Sequence, residues 1–193
     1  MGRTKEFVVE EALGKALKVF WDKGYEAASI ADLSDGMGIQ RASLYSTFGS
    51  KAELYEAALL EYQANGMAYT ETVLAQGSDP LDSFRKLLET AIPKPNCTNN
   101  GCFCTNASVE LAPHDPQIAQ LLSSHFDKVS QRLAKVAASG QATGQIPITL
   151  NPMDVGAYVL TCLQGLHVVS RTVKDPEELK KRIELMLLAL TSR

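Results

Sequence analysis

Apolar residues recur at spacings of three and four from Val9 through Ala12, Leu13, Ala16, Leu17, Val19 and Phe20. This is the stripe of an amphipathic helix over 8–23, and Gly24 follows it as a stop. Ser29, with Asp32 three positions later, forms a capping box with a short acid. It opens a helix through Ile30, Leu33 and Ser34 that stops near Gly36 and Gly38. A tight turn at 37–39 leads into a third short helix over 41–48, with Leu44 and Phe48 spaced to face inward. Ser50 and Glu53 make a second capping box, and no proline follows until Pro80, so a long helix is predicted over 51–76. Asp79 and Pro80 open a helix carrying Leu81, Phe84, Leu87, Leu88 and Ala91 on one side. A loop over 93–101, a short helix over 102–112 and a longer one from Asp115 to Gly140 come next. After a second loop over 140–152, a strongly apolar helix covers 153–173 and a last one, capped by Asp175 and Pro176, ends near Leu190. Neither strand alternation nor a repeat of fixed period is present. The expected fold is all-α.

Composition narrows the class. The chain has 193 residues, 45% hydrophobic and 21% charged, with a net charge of −3. That is enough apolar material for one core or two small ones, and it excludes collagen-like, disordered and disulfide-stapled chains. No stretch approaches the roughly 20 apolar residues of a membrane helix. The N-terminus runs into Glu10 and Glu11 instead of a signal-peptide core. A cytoplasmic protein with no membrane partner and reduced cysteines is expected. A pI of about 5.6 means that any nucleic-acid binding must come from local charge.

Such a locality exists. Two short helices joined by a glycine-containing turn, 29–36 and 40–47, have the spacing of a helix-turn-helix, whose second helix fits a major groove. The first 51 residues carry seven Lys or Arg and seven Asp or Glu, but 38–51 hold two bases and no acid. Gln40, Arg41, Ser43, Tyr45, Ser46 and Thr47 place donors on the surface that Leu44 and Phe48 leave outward.

Ala16-Leu17-Lys18-Val19-Phe20, Gly24-Tyr25-Glu26-Ala27-Ala28-Ser29-Ile30, Gly38-Ile39, Leu44-Tyr45, Phe48-Gly49-Ser50-Lys51 and Leu54 together resemble the N-terminal signature of the TetR family of transcriptional regulators. The resemblance implies a three-helix DNA-binding domain over 1–50 and a larger helical ligand-binding and dimerisation domain over 51–193. The expected function is a homodimeric repressor bound to a palindromic double-stranded DNA operator and released by a small-molecule effector or by thiol modification. Carried over by motif position, Arg41 and Ser43 approach base edges or nearby phosphates, Tyr45 and Lys51 contact phosphates, and Thr47 flanks the groove. Arg41 is the guanine-reading candidate, because its planar fork can bond O6 and N7 together. Gln40 stands where a Ser or Thr cap is common, and Ser46-Thr47 where aromatic or histidine side chains often occur, so the resemblance implies DNA binding without fixing the operator sequence.

Cys97, Cys102 and Cys104 form a C-x4-C-x-C pattern where a loop meets a helix. Inert, partly buried thiols are the plainest reading. A redox switch comes next, since a helix N-terminus lowers a thiol pKa and a resolving partner is near. A metal site comes last, because the spacing matches no ligand knuckle. The stretch 101–111 also resembles the start of the sixth helix in TetR regulators that respond to electrophiles or aldehydes. For a ligand cavity, helix position nominates Phe103, Asn106, Glu110, Phe126, Tyr158, Cys162 and His167. The apolar residues of the last two helices, among them Gly156, Ala157, Leu163, Gly165, Leu187 and Leu188, suggest a four-helix interface between two copies. The competing reading is a thiol enzyme or ligand carrier using Cys102 or Cys104, although no nucleophile motif, phosphate loop or acid pair accompanies it. No cofactor is expected.

Overall fold

The computed structural model describes residues 7–94, 99–173 and 175–191. Among them the chain is helical without strands: α1 (Val9–Lys23), α2 (Ile30–Met37), α3 (Arg41–Phe48), α4 (Lys51–Leu74), α5 (Pro80–Glu89), α6 (Phe103–Glu110), α7 (Pro116–Ala142), α8 (Pro152–Val169) and α9 (Pro176–Leu188).

The local signals act as expected. Ser29 and Ser50 each cap a helix by accepting from the amide three residues on, while Asp32 and Glu53 reach back to the cap amides. Asp79, Asp115, Asn151 and Asp175 cap helices whose first residue is proline. These caps satisfy amides that helix starts leave unpaired. Gly38 closes α2 in the left-handed region. The predicted ends of α4, α8 and α9 run a few residues too far, because each last turn loosens before its helix signal fades.

Two apolar cores form. One is built from α1 to α4, with Phe20, Leu33, Leu44, Leu54 and Leu59 at its centre, and it extends to Phe103, Ala107 and Leu122 of α6 and α7. The other joins the far half of α4 to α5, α7, α8 and α9 through Leu74, Phe84, Leu133, Val159 and Ile183. Spanning both, α4 is about 36 Å long for its 24 residues. The head (α1 to α3) therefore shares its core with α6 instead of resting on α4 alone. Phe48, expected in that core, is only partly buried at its edge.

Of the apolar residues assigned to a subunit interface, Val159, Leu160, Leu166, Ile183, Leu187 and Leu190 are buried within their own chain. Gly156 is buried too: a Cβ there would lie 2.3 Å from the Ser130 carbonyl oxygen, so this glycine lets α8 approach α7. The outward row of α8 is instead Met153, Ala157, Thr161, Gly165 and Val168, beside the exposed Leu185 and Leu188 of α9.

Candidate nucleic-acid interface and effector cavity

The candidate recognition helix α3 buries Leu44, packs Phe48 at the edge of the same core and leaves a polar face turned outward. Gln40, Arg41 and Ser46 are exposed, Tyr45 is 50% exposed, and Ser43 and Thr47 are half-buried at the margin of that face. The Ser46 hydroxyl donates to the Ser43 carbonyl. Gln40 supplies no side-chain cap, so the first amides of α3 have no partner from it. Lys51, at the start of α4, lies 4.4 Å from the centre of the Tyr25 ring and donates to the Glu26 carbonyl at 3.4 Å. Five of the nominated residues thus share one helix, Gln40 occupies its cap position, and Lys51 adjoins them.

A cavity of about 430 Å³ opens among α1, α4, α5, α6, α7 and α8. None of its lining side chains is a carboxylate, lysine or arginine. Aromatic walls come from Trp21, Tyr62, Tyr69 and Phe126, and polar groups from Asn65, Gln164, His125 and His167. Burial lowers the pKa of both histidines. Cys102 and Cys104 line the same space.

The two thiols are driven apart electrostatically. Cys102, the cap residue of α6, accepts from the Tyr62 hydroxyl at 3.6 Å. The Cys104 thiol bonded to it, with nearby His167, the Thr105 amide and that same tyrosine, holds Cys102 well below the usual thiol range despite burial. Cys104 moves the opposite way, raised by its bond to Cys102 and by burial. The arrangement favours the ionised form at Cys102 and the protonated form at Cys104. Cys97 lies outside the described residues.

The nominated cavity residues divide. Phe126 and His167 line the cavity. Phe103 does not. It is buried against Trp21, Tyr55 and Tyr62 in the aromatic cluster that joins head to body. Asn106 points away to donate to the Asn100 carbonyl, and Glu110 faces the head, where it accepts from the Tyr25 and Glu26 amides. Tyr158 sits at the α8–α9 surface with its hydroxyl on the Met186 carbonyl, and Cys162 lies one turn further along α8. Trp21, Tyr62, Asn65, Gln164 and His125 were not nominated, because facing positions on distant helices leave no mark in local spacing. Among the described residues no group of three His, Cys, Asp or Glu could hold a metal ion, and no helix is long and apolar enough to cross a membrane.

Comparison with known proteins matches residues 12–58 to the bacterial regulatory proteins of the tetR family and residues 80–186 to the tetracyclin repressor-like C-terminal domain. The chain belongs to the TetR family. Like other members it is a DNA-binding transcriptional regulator. It is 32% identical to the HTH-type transcriptional repressor ComR of Escherichia coli, over 92% of this chain and 86% of that protein. It is 29% identical to the HTH-type transcriptional regulator YezE of Bacillus subtilis, over 98% of this chain and all of that one. Among solved structures, a triple cysteine mutant of the TetR-family regulator CifR, complexed with 26-bp double-strand operator DNA, is similar with a TM-score of 0.84. The two are 27% identical over 98% of this chain and 100% of the other. The enzyme or carrier reading draws no support from these TetR relatives.

Proposed function

We propose that this TetR regulator is a homodimeric repressor that holds a palindromic operator through α3 and releases it when Cys102 is modified in the body cavity. Arg41 and Ser43 read base edges, Tyr45 and Lys51 hold phosphates, and Gln40, Ser46 and Thr47 frame the contact. The operator complex of CifR supports duplex DNA as the partner. The outward row of α8 with Leu185 and Leu188 supports a two-fold interface, and two heads on one dimer suit a palindrome.

One observation carries the effector half: the Cys102 sulfur, which accepts from the Tyr62 hydroxyl, lines an aromatic-walled cavity without carboxylate, lysine or arginine side chains. Such a sulfur adds to a small neutral electrophile such as an unsaturated carbonyl. The S–C bond forms at the β-carbon, the C=C pair shifts toward the carbonyl, and water supplies the proton to the α-carbon. Selection of duplexes from a random pool, followed by band shifts at two salt concentrations, tests the DNA half. A recovered palindrome whose binding weakens steeply with salt supports it, and failure to enrich any duplex overturns it.

A further inference from the structure

The short helix α6 touches both working parts of the molecule. Its first turn carries Cys102 and Cys104 in the cavity wall, and its last residue, Glu110, grips the head. The Glu110 carboxylate accepts the Tyr25 amide at 3.0 Å and the Glu26 amide at 2.9 Å, across 85 and 84 residues of chain. A carboxylate at a helix C-terminus faces the negative end of the helix dipole, which disfavours it unless donors compensate. Here two backbone amides do. The seat is also shaped for it: Gly24 has φ +84°, and a Cβ there would come within 3.1 Å of the carboxylate.

The gripped peptide does not stop at the head's interior. The carbonyl of Glu26 accepts the Lys51 ammonium, and the Tyr25 ring lies beneath that ammonium at 4.4 Å. The loop leading into α6 holds α1 one turn earlier. There the Asn100 carbonyl accepts from the Trp21 indole at 3.2 Å, and the Asn100 amide donates to Asp22.

We propose that Glu110 is the positioning residue through which α6 reports the state of the cavity to the DNA contact, by fixing the backbone of Tyr25 and Glu26, whose ring and carbonyl hold Lys51. The proposal rests on the phosphate role of Lys51 given above. When the first turn of α6 moves, the carboxylate draws on two amides, and the platform under Lys51 shifts with them. Glu110 itself touches neither DNA nor effector.

A double-mutant cycle tests this, using a duplex selected by the wild-type protein. Lys51→Gln is expected to weaken binding and to lower the slope of log K against log salt by about one. Glu110→Gln is expected to weaken binding and lose part of the same slope. Added to Lys51→Gln, it should cost less than a further twofold, because the contact it serves is already gone. Glu110→Asp, which keeps the charge but withdraws it by one methylene, should weaken binding in the same direction. Val109→Ala, on the exposed face of α6, should bind as wild type, and thermal unfolding verifies that each variant is folded. Hydrogen exchange should show faster exchange at Tyr25 and Glu26 in Glu110→Gln, and in wild type after alkylation with N-ethylmaleimide. Losses from Glu110 and Lys51 that multiply, or a Glu110→Gln protein with wild-type affinity, overturn the relay while leaving operator binding intact. A Lys51→Gln protein with wild-type affinity and slope overturns both the phosphate role and the relay built on it.

Discussion

The Tyr62 hydroxyl donates to the Cys102 sulfur at 3.6 Å, joining the middle of α4 to the cap of α6 across forty residues of chain. Tyr62 is itself half-buried, with its own ionisation pushed far up, so it remains a donor throughout the working pH range. It favours the thiolate by bonding to the charged form.

This contact has a pH signature. Because the Cys102 pKa is lowered in the folded protein, alkylation should slow at a lower pH than it does for an ordinary thiol. Tyr62→Phe removes one donor and keeps the ring, so the fall should move to higher pH and the neutral rate should drop several-fold. The pH–rate profile of single-turnover alkylation, followed by mass at Cys102, checks this; unchanged profiles would remove Tyr62 from the account.

Arg41 and Lys51 should separate by kind of effect. Arg41→Ala should cost about 1–3 kcal/mol on the preferred duplex and flatten discrimination at one base position. Lys51→Ala should weaken all duplexes alike. Band shifts on single-base variants of the selected site distinguish these patterns, and equal losses on every sequence for both would displace Arg41 from the groove.

The outward apolar row predicts the assembly. Val168 is 52% and Leu185 68% exposed, so Val168→Glu and Leu185→Glu should leave each subunit folded while setting charges where two copies meet. Sedimentation should give a monomer and the band shift should weaken sharply. A dimer of wild-type strength would move the interface elsewhere.

Gly156 makes a stability prediction. Its α-carbon faces the backbone of α7, and backbone cannot rotate aside as a side chain can. Gly156→Ala should therefore lower stability by about 1–3 kcal/mol, seen as a lower denaturant midpoint, although alanine favours helix.

Helix order and the outward face of α3 were legible because their causes are local. Caps at Ser29 and Ser50, prolines in first turns and the alternation around Leu44 act within a few residues. The cavity was legible only in part. Phe126 and His167 line it, but Phe103, Asn106 and Glu110 share its neighbouring helix and face elsewhere, since direction around a short helix is decided by what packs beside it. Glu110 shows the limit well: its two partners lie 84 and 85 residues away. The aromatic joint of Trp21, Tyr62 and Phe103 belongs to three helices that only tertiary packing brings together. Likewise, Gly156 looks like an interface residue until α7 is placed against it.

The most direct test of the account is operator affinity before and after N-ethylmaleimide treatment, measured in parallel on wild type and Cys102→Ser with the selected duplex. Wild type should lose binding by tenfold or more once Cys102 carries the adduct, while Cys102→Ser should bind the operator and ignore the reagent. Wild-type protein fully alkylated at Cys102 that still holds the duplex with unchanged affinity would contradict it.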